Sequence, residues 1–436
     1  MSISLNYLRH KSFVIYGLGV TGRSVMDYFH KHGFKNYFGW DDDNRLLKKF
    51  IGKKSKIIKK NLKKLINFVD YIVVSPGINI NKVKLKHLLV KNRRKIITDL
   101  DLFYLINPDV RSVVVTGTNG KSTTCKIIDH VLRKNNINAG LGGNIGSPIL
   151  NLKLKKETLA IIEASSFQLA YSNFVKPHYA LLLNLSKDHL DWHGSMNNYI
   201  KSKMKIFSLQ NKNNYAFIND NKLLKNFKKN KYKSNIKFID IKKYKKIKNK
   251  IKNSYLKSEV NEKNMSFVYT LSKILKIKEK NFINSLKSFK GLKYRHEIVF
   301  KNKNKLFIND SKATSFEATH FALKNNHNIL WILGGLPKKG DKFKLQDVKK
   351  NIIKAYVIGK HTKFFEKYLN GKINFKLSNT LVSAVNSIFK EFKNLKEKKV
   401  TILFSPASAS YDQFKNFEDR GSKFSKLINS FTKKYF

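Results

Sequence analysis

The first hundred residues alternate short apolar runs with longer polar stretches of helical spacing. Three of these runs predict buried strands, at Ser12 to Tyr16, Tyr37 to Trp40 and Tyr71 to Val74. Strands separated by amphipathic segments are typical of a parallel sheet with crossover helices. The pattern therefore predicts an α/β domain at the start of the chain.

The same alternation begins again after Asn107-Pro108, where a proline precedes a fresh β-branched run. The strands expected in this second series are Ser112 to Thr116, Leu159 to Ile162 and Tyr179 to Asn184. A lysine-rich stretch, Lys222 to Lys257, has weak periodicity and is interpreted as a variable surface region. A more regular helix is expected from Asn261 to Ile277.

A third α/β series is expected past Gly291. Its candidate strands are Lys305 to Ile308, Ile329 to Leu333, Ala355 to Ile358 and Val400 to Phe404. At roughly 150 residues per domain, a chain of 436 residues fits three such units without an internal repeat.

Composition adds an unusual charge. The chain has 88 Lys and Arg against 29 Asp and Glu, a net charge of +59, which by itself suggests a nucleic-acid or anionic-membrane partner. Pro and Gly are few (6 and 21), while Lys, Asn, Ile, Phe and Tyr, which have A/T-rich codons, are abundant. We therefore interpret most of the lysine as compositional drift at exposed positions.

Targeting and redox signals are sparse. Cys125 is the single cysteine, so no internal disulfide forms and a reducing compartment fits. The N-terminal segment lacks the pattern of a secretory signal, and no apolar run approaches the roughly 18 residues of a membrane span. The expectation is a soluble, cytoplasmic protein.

Two glycine-rich turns follow predicted strands. Gly17 to Gly22 has the G-x-G-x-x-G pattern, which supports a nucleotide without choosing which, and Asp41 ends the next strand. The stronger signal is Val113 to Thr123, where a buried strand runs into a glycine loop and then Lys121 and Ser122. Backbone N–H groups, a lysine and a hydroxyl that reaches Mg²⁺ are what a triphosphate site requires, so this segment predicts ATP binding.

Other polar residues follow strands in both later series. Glu163 and His189 each come at or just after a strand end, where α/β sheets bind ligands, and they suit Mg²⁺ beside phosphates. In the third series the turns are rich in N–H, hydroxyl and cationic donors that suit a carboxylate or phosphate. These turns are Gly291 to Glu297, Asn309 to Thr314, Gly334 to Gly340 and Ser405 to Ser410.

Together these motifs resemble the Mur ligases, ATP-dependent enzymes that form amide bonds in peptidoglycan precursor synthesis. Four runs are similar to the D-glutamate-adding branch of that family: Ser405 to Gly421, Gly143 to Gly146, Glu163 to Leu169 and Asn309 to Thr314. The likeness spans nearly the whole chain. It implies three tandem α/β domains: a Rossmann-like UDP-binding domain (1–107), a P-loop-type central ATPase domain (108–290) and a Rossmann-like amino-acid-binding domain (291–436).

The resemblance also implies roles for individual residues. ATP would be bound by Gly117, Thr118, Asn119, Gly120, Lys121, Ser122, Thr123, Asn261, Asn264, Arg295 and Asp310. The UDP-linked substrate would be bound by Leu18, Thr21, Asp41, Asp42, Gly77, Asn144 and His189, and D-glutamate by Thr314, Lys338, Ser410 and Phe417. Two Mg²⁺ ions would be held by Ser122, Glu163, His189 and a carbamate on Lys203. The catalytic group would be Lys121, His189, Lys203 and Arg295.

The implied reaction condenses UDP-N-acetylmuramoyl-L-alanine with D-glutamate through an acyl phosphate, in a monomer without a membrane or specific nucleic-acid partner. Four positions depart from the family pattern, namely Val260, Tyr294, Ser315 and Asp42. They bear on the adenine and uracil pockets, not on the reaction class. Two alternatives stay open: another amide ligase of the same superfamily, including a folylpolyglutamate-type enzyme, and a basic nucleic-acid-binding protein.

Overall fold

The structure is a computed structural model that describes residues 5–48, 62–337, 341, 343–392 and 399–435. It divides into two compact units, Met1–Phe289 and Lys290–Phe436. Each unit is built from α/β layers.

The first unit contains two sheets, of which the first is a four-stranded parallel sheet of order β2-β1-β3-β4. All four residues of its central strand β1 are buried, as expected for a strand covered on both faces. Its strands are β1 Phe13–Tyr16, β2 Tyr37–Trp40, β3 Tyr71–Val74 and β4 Ile96–Ile97. The accompanying helices are α1 Leu5–Arg9, α2 Val20–Lys31, α3 Asn44–Lys48, α4 Leu62–Phe68, α5 Lys86–Lys91 and α6 Asp99–Ile106.

The second sheet of this unit has six parallel strands in the order β10-β9-β8-β5-β7-β6. Its strands are β5 Ser112–Thr116, β6 Ala139–Gly143, β7 Leu159–Glu163, β8 Tyr179–Leu182, β9 Tyr215–Ile218 and β10 Asn235–Phe238. Its helices are α7 Lys121–Lys134, α8 Ser166–Tyr171, α9 Leu190–His193, α10 Met196–Met204, α11 Asn221–Lys229, α12 Ile241–Lys248, α13 Ser254–Lys257, α14 Glu259–Ile274 and α15 Glu279–Leu286. Because β5 lies between β7 and β8, the turns that follow these three strands meet at one edge of the sheet.

The lysine-rich stretch is more regular than its sequence suggests, because it contains α11, β10, α12 and α13. Leu223 and Phe227 are buried four residues apart on α11, and Tyr244 and Ile247 are buried three apart on α12. These few apolar residues anchor each helix, while most of the lysines between them face solvent. Because lysine is abundant throughout this stretch, the helical spacing of its few apolar residues is difficult to recognise in the sequence.

The second unit contains a six-stranded sheet of order β11-β12-β16-β13-β14-β15, in which only β11 runs antiparallel to its neighbour. Its strands are β11 Glu297–Lys301, β12 Lys305–Asn309, β13 Ile329–Gly334, β14 Ile352–Ile358, β15 Phe375–Asn379 and β16 Val400–Phe404. The helices are α16 Phe316–Lys324, α17 Thr362–Leu369, α18 Leu381–Glu391 and α19 Phe417–Tyr435. Separate apolar clusters cover the two faces, one around Trp331 and the other around Phe404. The turns after β12, β16 and β13 meet at one edge of this sheet.

The three sheets confirm the predicted fold class of tandem α/β layers. Across the described ranges no helix is long and apolar enough to cross a membrane.

Candidate functional site

The loop between β5 and α7 forms the centre of the site in the first unit. Gly117 and Gly120 have φ values of +154° and +85°, a region that favours glycine, and Gly120 is the N-cap of α7. No side chain caps this helix start, so its backbone N–H groups are available to an anion. The Lys121 ammonium donates to the carbonyls of Gly117 and Thr118 at 2.8 Å each, which brings its positive charge back over the loop.

The loop is held in place by residues that follow β8 and by α10. The Asn184 side chain accepts from Asn119 N and donates to Asn119 O, both at 2.9 Å. The Thr118 hydroxyl is 2.9 Å from the Tyr199 hydroxyl and accepts from Ser186 N at 3.0 Å. This pre-formed loop fits the predicted phosphate site, and Ser122 and Thr123 lie buried at the start of its helix.

Glu163 ends β7 beside this loop and is 2% exposed. Its Oε1 accepts from the Asn144 side-chain amide at 2.9 Å, whereas its Oε2 is buried and has no hydrogen-bond partner among the described residues. The turn after Glu163 is fixed by a capping box, in which Ser165 and Gln168 satisfy each other's backbone at the start of α8. A buried carboxylate oxygen without a donor is the kind of atom that a cation satisfies.

Lys203 lies on α10, a helix that begins at the N-cap Ser195, and is 1% exposed. Its ammonium donates to Gly117 O at 2.8 Å and approaches Thr116 Oγ1 at 3.4 Å. Burial and the nearby charge of Lys121 lower the pKa of Lys203 well below its ordinary value, although Asp188 and Glu163 act in the opposite direction. Two lysines thus converge on the same carbonyl of the glycine loop, which sequence alone does not reveal.

His189 occupies the turn after β8 with φ +53°, in the left-handed region that few non-glycine residues adopt. Its Nε2 lies 3.3 Å from Asp188 Oδ2, and its ring centroid lies 4.7 Å from that of Phe167. Asp188 was not among the predicted residues, although it stands next to His189 in the sequence. Nearby, burial, His189 and Lys203 lower the pKa of His193 to about 4, so this ring stays neutral at physiological pH.

The two asparagines predicted to bind ATP, Asn261 and Asn264, are both buried on α14. Asn264 donates to Asn261 Oδ1 at 3.3 Å, and Asn261 donates to Tyr255 O at 3.0 Å. A Cβ atom at Gly120 would overlap the side-chain oxygen of Asn264. The structure therefore brings Asn264 directly against the glycine loop, 144 residues away in the sequence.

Five of the seven predicted UDP residues follow the carboxyl ends of β1, β2 and β3, whereas Asn144 and His189 follow β6 and β8 of the second sheet. Asp41 is buried and accepts from Leu18 N at 2.7 Å, which couples the first glycine turn to the end of β2. Asp42 instead accepts from the Tyr16 hydroxyl at 2.9 Å to each oxygen and from Trp40 Nε1 at 3.0 Å. Thr21 and Gly77 lie on the same edge of the sheet, and a Cβ added at Gly77 would meet nothing within 4 Å.

In the second unit, Arg295 and Asp310 lie near each other. Asp310 accepts from Ser405 Oγ at 2.8 Å and from His296 N at 3.0 Å. Burial raises the pKa of Asp310 to about 6, against the opposing effects of these hydrogen bonds and of the Arg295 charge. Arg295 Nε is buried and has no hydrogen-bond partner in the described part of the chain.

Three of the four residues predicted to hold an amino acid, Thr314, Ser410 and Phe417, lie in the described part of this unit. Ser410 is 2% exposed, and Phe417 begins α19, with the Lys312 ammonium 3.7 Å from its ring centroid. Thr314 precedes α16 at the same sheet edge, while Lys338 lies outside the described residues.

Arg420 is a further residue of this region that the sequence analysis did not single out. Its guanidinium is 1% exposed and donates to Ser311 O at 2.8 Å, to Ser311 Oγ at 3.1 Å and to Ser408 O at 3.0 Å. It therefore ties the turn after β12 to the turn after β16. Its position within the run Ser405 to Gly421 was the available signal.

No three His, Cys, Asp or Glu side chains of the described ranges group closely enough to hold a metal by themselves. Mg²⁺ in nucleotide sites is usually held by one or two carboxylates together with phosphate oxygens and water. Glu163, with its unpartnered Oε2 beside the glycine loop, fits that kind of site.

Comparisons with known proteins show which family the chain is similar to. Residues 11–97 match the model described as "Mur ligase MurD-like, N-terminal domain", and residues 115–286 match the "Mur ligase middle domain". The chain is 31% identical to a UDP-N-acetylmuramoylalanine--D-glutamate ligase of Wolbachia pipientis, over 98% of each chain. It is 34% identical to the protein of that name in Rickettsia felis, over 95% of this chain and 96% of the relative.

Among solved structures, the chain is similar to the MurF ligase from Thermotoga maritima in complex with ADP. The TM-score is 0.58 with 17% identity, covering 97% of this chain and 99% of that one. It is also similar to the UDP-N-acetylmuramate-alanine ligase MurC from the same organism, with a TM-score of 0.56, 16% identity and coverage of 97% and 100%. At these identities the likeness shows the fold.

Proposed function

This chain belongs to the Mur ligase family, and from that membership we propose that it joins D-glutamate to UDP-N-acetylmuramoyl-L-alanine at the expense of ATP. The relatives named for this activity align with it over nearly their whole length. The observation that carries the proposal is the meeting of the glycine loop, Glu163 and Lys203 at one edge of the second sheet.

The proposed chemistry has two steps. The L-alanine carboxylate attacks the γ-phosphorus of ATP, and the bond from the γ-phosphorus to the β-phosphate oxygen breaks. ADP departs, and an acyl phosphate remains. The D-glutamate amine then attacks the acyl carbon, loses a proton and expels inorganic phosphate from a tetrahedral intermediate. Because little covalent chemistry falls to the protein, catalysis depends on positioning and charge neutralisation.

The glycine loop and the start of α7 hold the ATP phosphates in this proposal. The uncapped N–H groups at the start of α7 are available to an anion, and Lys121 adds a positive charge above the loop. Asn261 and Asn264 are assigned to the adenine side from the family resemblance, and Asn264 is packed against Gly120 of the loop. Arg295 and Asp310 are assigned to ATP binding from the family resemblance alone.

Magnesium fits the donors at this edge. We propose that two ions are held by Ser122, Glu163, His189 and a carbamate on Lys203. The best supported ligand atom is Glu163 Oε2, which has no hydrogen-bond partner among the described residues. When bound, the ions neutralise charge on the phosphates. Asn144 keeps the Glu163 carboxylate oriented through its bond to Oε1.

The carbamate on Lys203 is favoured by the amine's surroundings. A neutral amine reacts with carbon dioxide by forming an N–C bond and releasing one proton, and burial favours the neutral amine. The resulting anion would be attached to an amine whose charge neighbour at the Gly117 carbonyl is the Lys121 ammonium, which would stabilise it. It converts a cationic group into an oxygen ligand.

The remaining two substrates are assigned to the first sheet and to the sheet of the second unit, with Asn144 and His189 contributed by the second sheet. Leu18, Thr21, Asp41, Asp42, Gly77, Asn144 and His189 bind the UDP-linked substrate, and Thr314, Lys338, Ser410 and Phe417 bind D-glutamate. The three substrates correspond to domains 1–107, 108–290 and 291–436, and the enzyme acts as a monomer in the cytoplasm, where ATP is supplied.

A phosphate-release assay tests the proposal. Phosphate is expected only when ATP, Mg²⁺, UDP-N-acetylmuramoyl-L-alanine and D-glutamate are all present. Equal release with L-glutamate, or release without the nucleotide sugar, would overturn the assignment. A panel of amino acids and acceptors separates this reaction from other amide ligases of the superfamily.

A further inference from the structure

An open cavity of about 680 Å³ lies in the first unit, away from the residues assigned above. It is lined by Lys91, Arg93 and Arg94 near the start of β4, and by Tyr171, Asn173 and Lys205 near the ends of α8 and α10. Arg93 and Arg94 precede β4, so they lie at the amino edge of the first sheet. The predicted UDP residues of this sheet follow the carboxyl ends of its strands, at the opposite edge.

The cavity gathers positive charge without a matching carboxylate. Four of its lining side chains are cationic, and none of the lining residues is an Asp or Glu. No hydrogen bond or ion pair joins the side chains of Lys91, Arg93 or Arg94 to another residue in the described part of the chain. Cations placed together without a counter-charge repel one another, an arrangement that a bound anion relieves.

Asp101, the carboxylate that acts electrostatically on Lys205, is not among the residues that line the cavity. It is fully buried, and its oxygens already accept from the backbone N–H groups of Thr98, Asn173 and Phe174. Lys205 itself donates to Ala170 O at 2.9 Å and to Ser172 O at 3.0 Å, which fixes its ammonium at the wall of the cavity. One cation is therefore rigidly placed, and the other three are exposed around it.

The presence of two arginines distinguishes this cavity from the many lysine-covered parts of the surface. Of 88 basic residues only nine are arginine, and two of those nine stand side by side at Arg93 and Arg94. A guanidinium presents a planar fork of N–H donors that matches two phosphate oxygens, which an ammonium does not. The volume lies in the range of small-molecule sites.

We propose that this cavity binds a small molecule carrying two or more phosphate groups, held by Arg93 and Arg94 and seated against Lys205. The site is separate from the ATP loop and does not depend on the proposed ligase activity. Lys205 is fixed on one side of the cavity, and the guanidinium groups of Arg93 and Arg94 lie near its opening. This arrangement suits a compact polyphosphate better than an extended chain.

A calorimetric titration of the full chain with inorganic tripolyphosphate at 0.15 M salt tests the proposal. The Lys121→Ala variant weakens binding at the ATP loop and should retain the second site. In that background, R93Q/R94Q should weaken tripolyphosphate binding at least about tenfold, and R93K/R94K should weaken it several-fold despite its unchanged charge. The matched control K228Q/K229Q removes the same charge from an adjacent exposed pair on α11 and should leave binding unchanged.

Three outcomes would overturn the proposal. Unaltered affinity in R93Q/R94Q would remove the site, and an equal loss in K228Q/K229Q would reduce it to non-specific attraction by a highly cationic chain. Equal affinity for a glutamate oligopeptide, lost in the same variants, would assign the cavity to an acidic protein segment instead. Because Arg93 and Arg94 are exposed, we expect each variant to fold. Thermal melting of each variant checks this.

Discussion

The side-chain amide of Asn144 donates to Oε1 of Glu163 at 2.9 Å, and Oε2 of the same buried carboxylate is left without a hydrogen-bond partner among the described residues. One oxygen therefore orients the group, while the other is available to a cation. In Glu163→Gln the amide can still accept from Asn144, but its NH₂ group would occupy the position of the vacant oxygen. We expect the Mg²⁺ concentration for half-maximal phosphate release to rise at least about tenfold.

Glu157→Gln is the matched control, because Glu157 is exposed and the same charge is removed. An unchanged Mg²⁺ dependence in Glu163→Gln would contradict a metal role for Glu163. Melting temperatures of both variants separate this effect from a loss of folding.

Lys203 provides the second prediction, since its buried amine shares the Gly117 carbonyl with Lys121. Lys203→Ala should lower the rate of phosphate release at least about a hundredfold, the range seen when one electrostatic group is removed from an active site. If a carbamate is the working group, acetate or another short carboxylic acid should partly restore the rate. Lys201→Ala, an exposed lysine on the same helix, should retain full activity. Full activity in Lys203→Ala would remove this role.

The glycine loop yields a third prediction based on two glycines of similar conformation. Gly120 and Gly33 have φ values of +85° and +73°, but a Cβ atom overlaps Asn264 only at Gly120. Gly33→Ala should lower the free energy of unfolding by about 1 kcal/mol through backbone strain alone and retain activity. Gly120→Ala should in addition abolish ATP binding, as measured by calorimetry. Retained ATP binding in Gly120→Ala would show that the loop does not hold the nucleotide.

Strands with continuous apolar runs could be predicted from sequence to the residue. Tyr37–Trp40, Tyr71–Val74, Ser112–Thr116 and Val400–Phe404 have the predicted bounds, because strands buried in parallel sheets need apolar side chains on both faces. The edge strand Ala139–Gly143 escaped prediction, since three of its five residues are glycines without an apolar pattern. Composition gave no hint of it.

The site residues also divide into those that the sequence predicted and those that it did not. The glycine loop was recognisable because its chemistry lies within one short segment. The contacts of Lys203 with Gly117 and of Asn264 with the loop join distant segments, and the resemblance to known enzymes was what suggested them. Asn184, Asp188 and Arg420 went unnoticed because their importance comes from hydrogen bonds to backbone atoms or from neighbouring charges, which no sequence spacing encodes.

Asp42 gives a fourth prediction, about the UDP-linked substrate. Its carboxylate is turned toward the sheet by the Tyr16 hydroxyl and by Trp40 Nε1. Tyr16→Phe removes one of these donors, so the Asp42 carboxylate is less firmly held in the position from which it is proposed to bind the substrate. We expect the KM for UDP-N-acetylmuramoyl-L-alanine to rise about three- to tenfold with little change in kcat. Tyr28→Phe on α2 is the control, and an equal KM in the two variants would argue against this arrangement.

The last prediction concerns Asp99, a buried carboxylate whose two oxygens accept from Gln168 Nε2 at 3.1 and 3.2 Å. Burial raises the pKa of Asp99 to about 6 from an ordinary value of 3.8. A group whose pKa is raised by folding stabilises the protein fully below its unfolded pKa, and that contribution is lost as the pH rises through its folded pKa. Asp99→Asn stays neutral and can still accept from Gln168, so its stability relative to the wild type should increase between pH 4 and pH 7. The shift corresponds to an increase of about 1–3 kcal/mol, measurable from urea unfolding at each pH. Glu157→Gln should show no such trend, and a stability difference for Asp99→Asn that is independent of pH would mean that Asp99 does not titrate in this window.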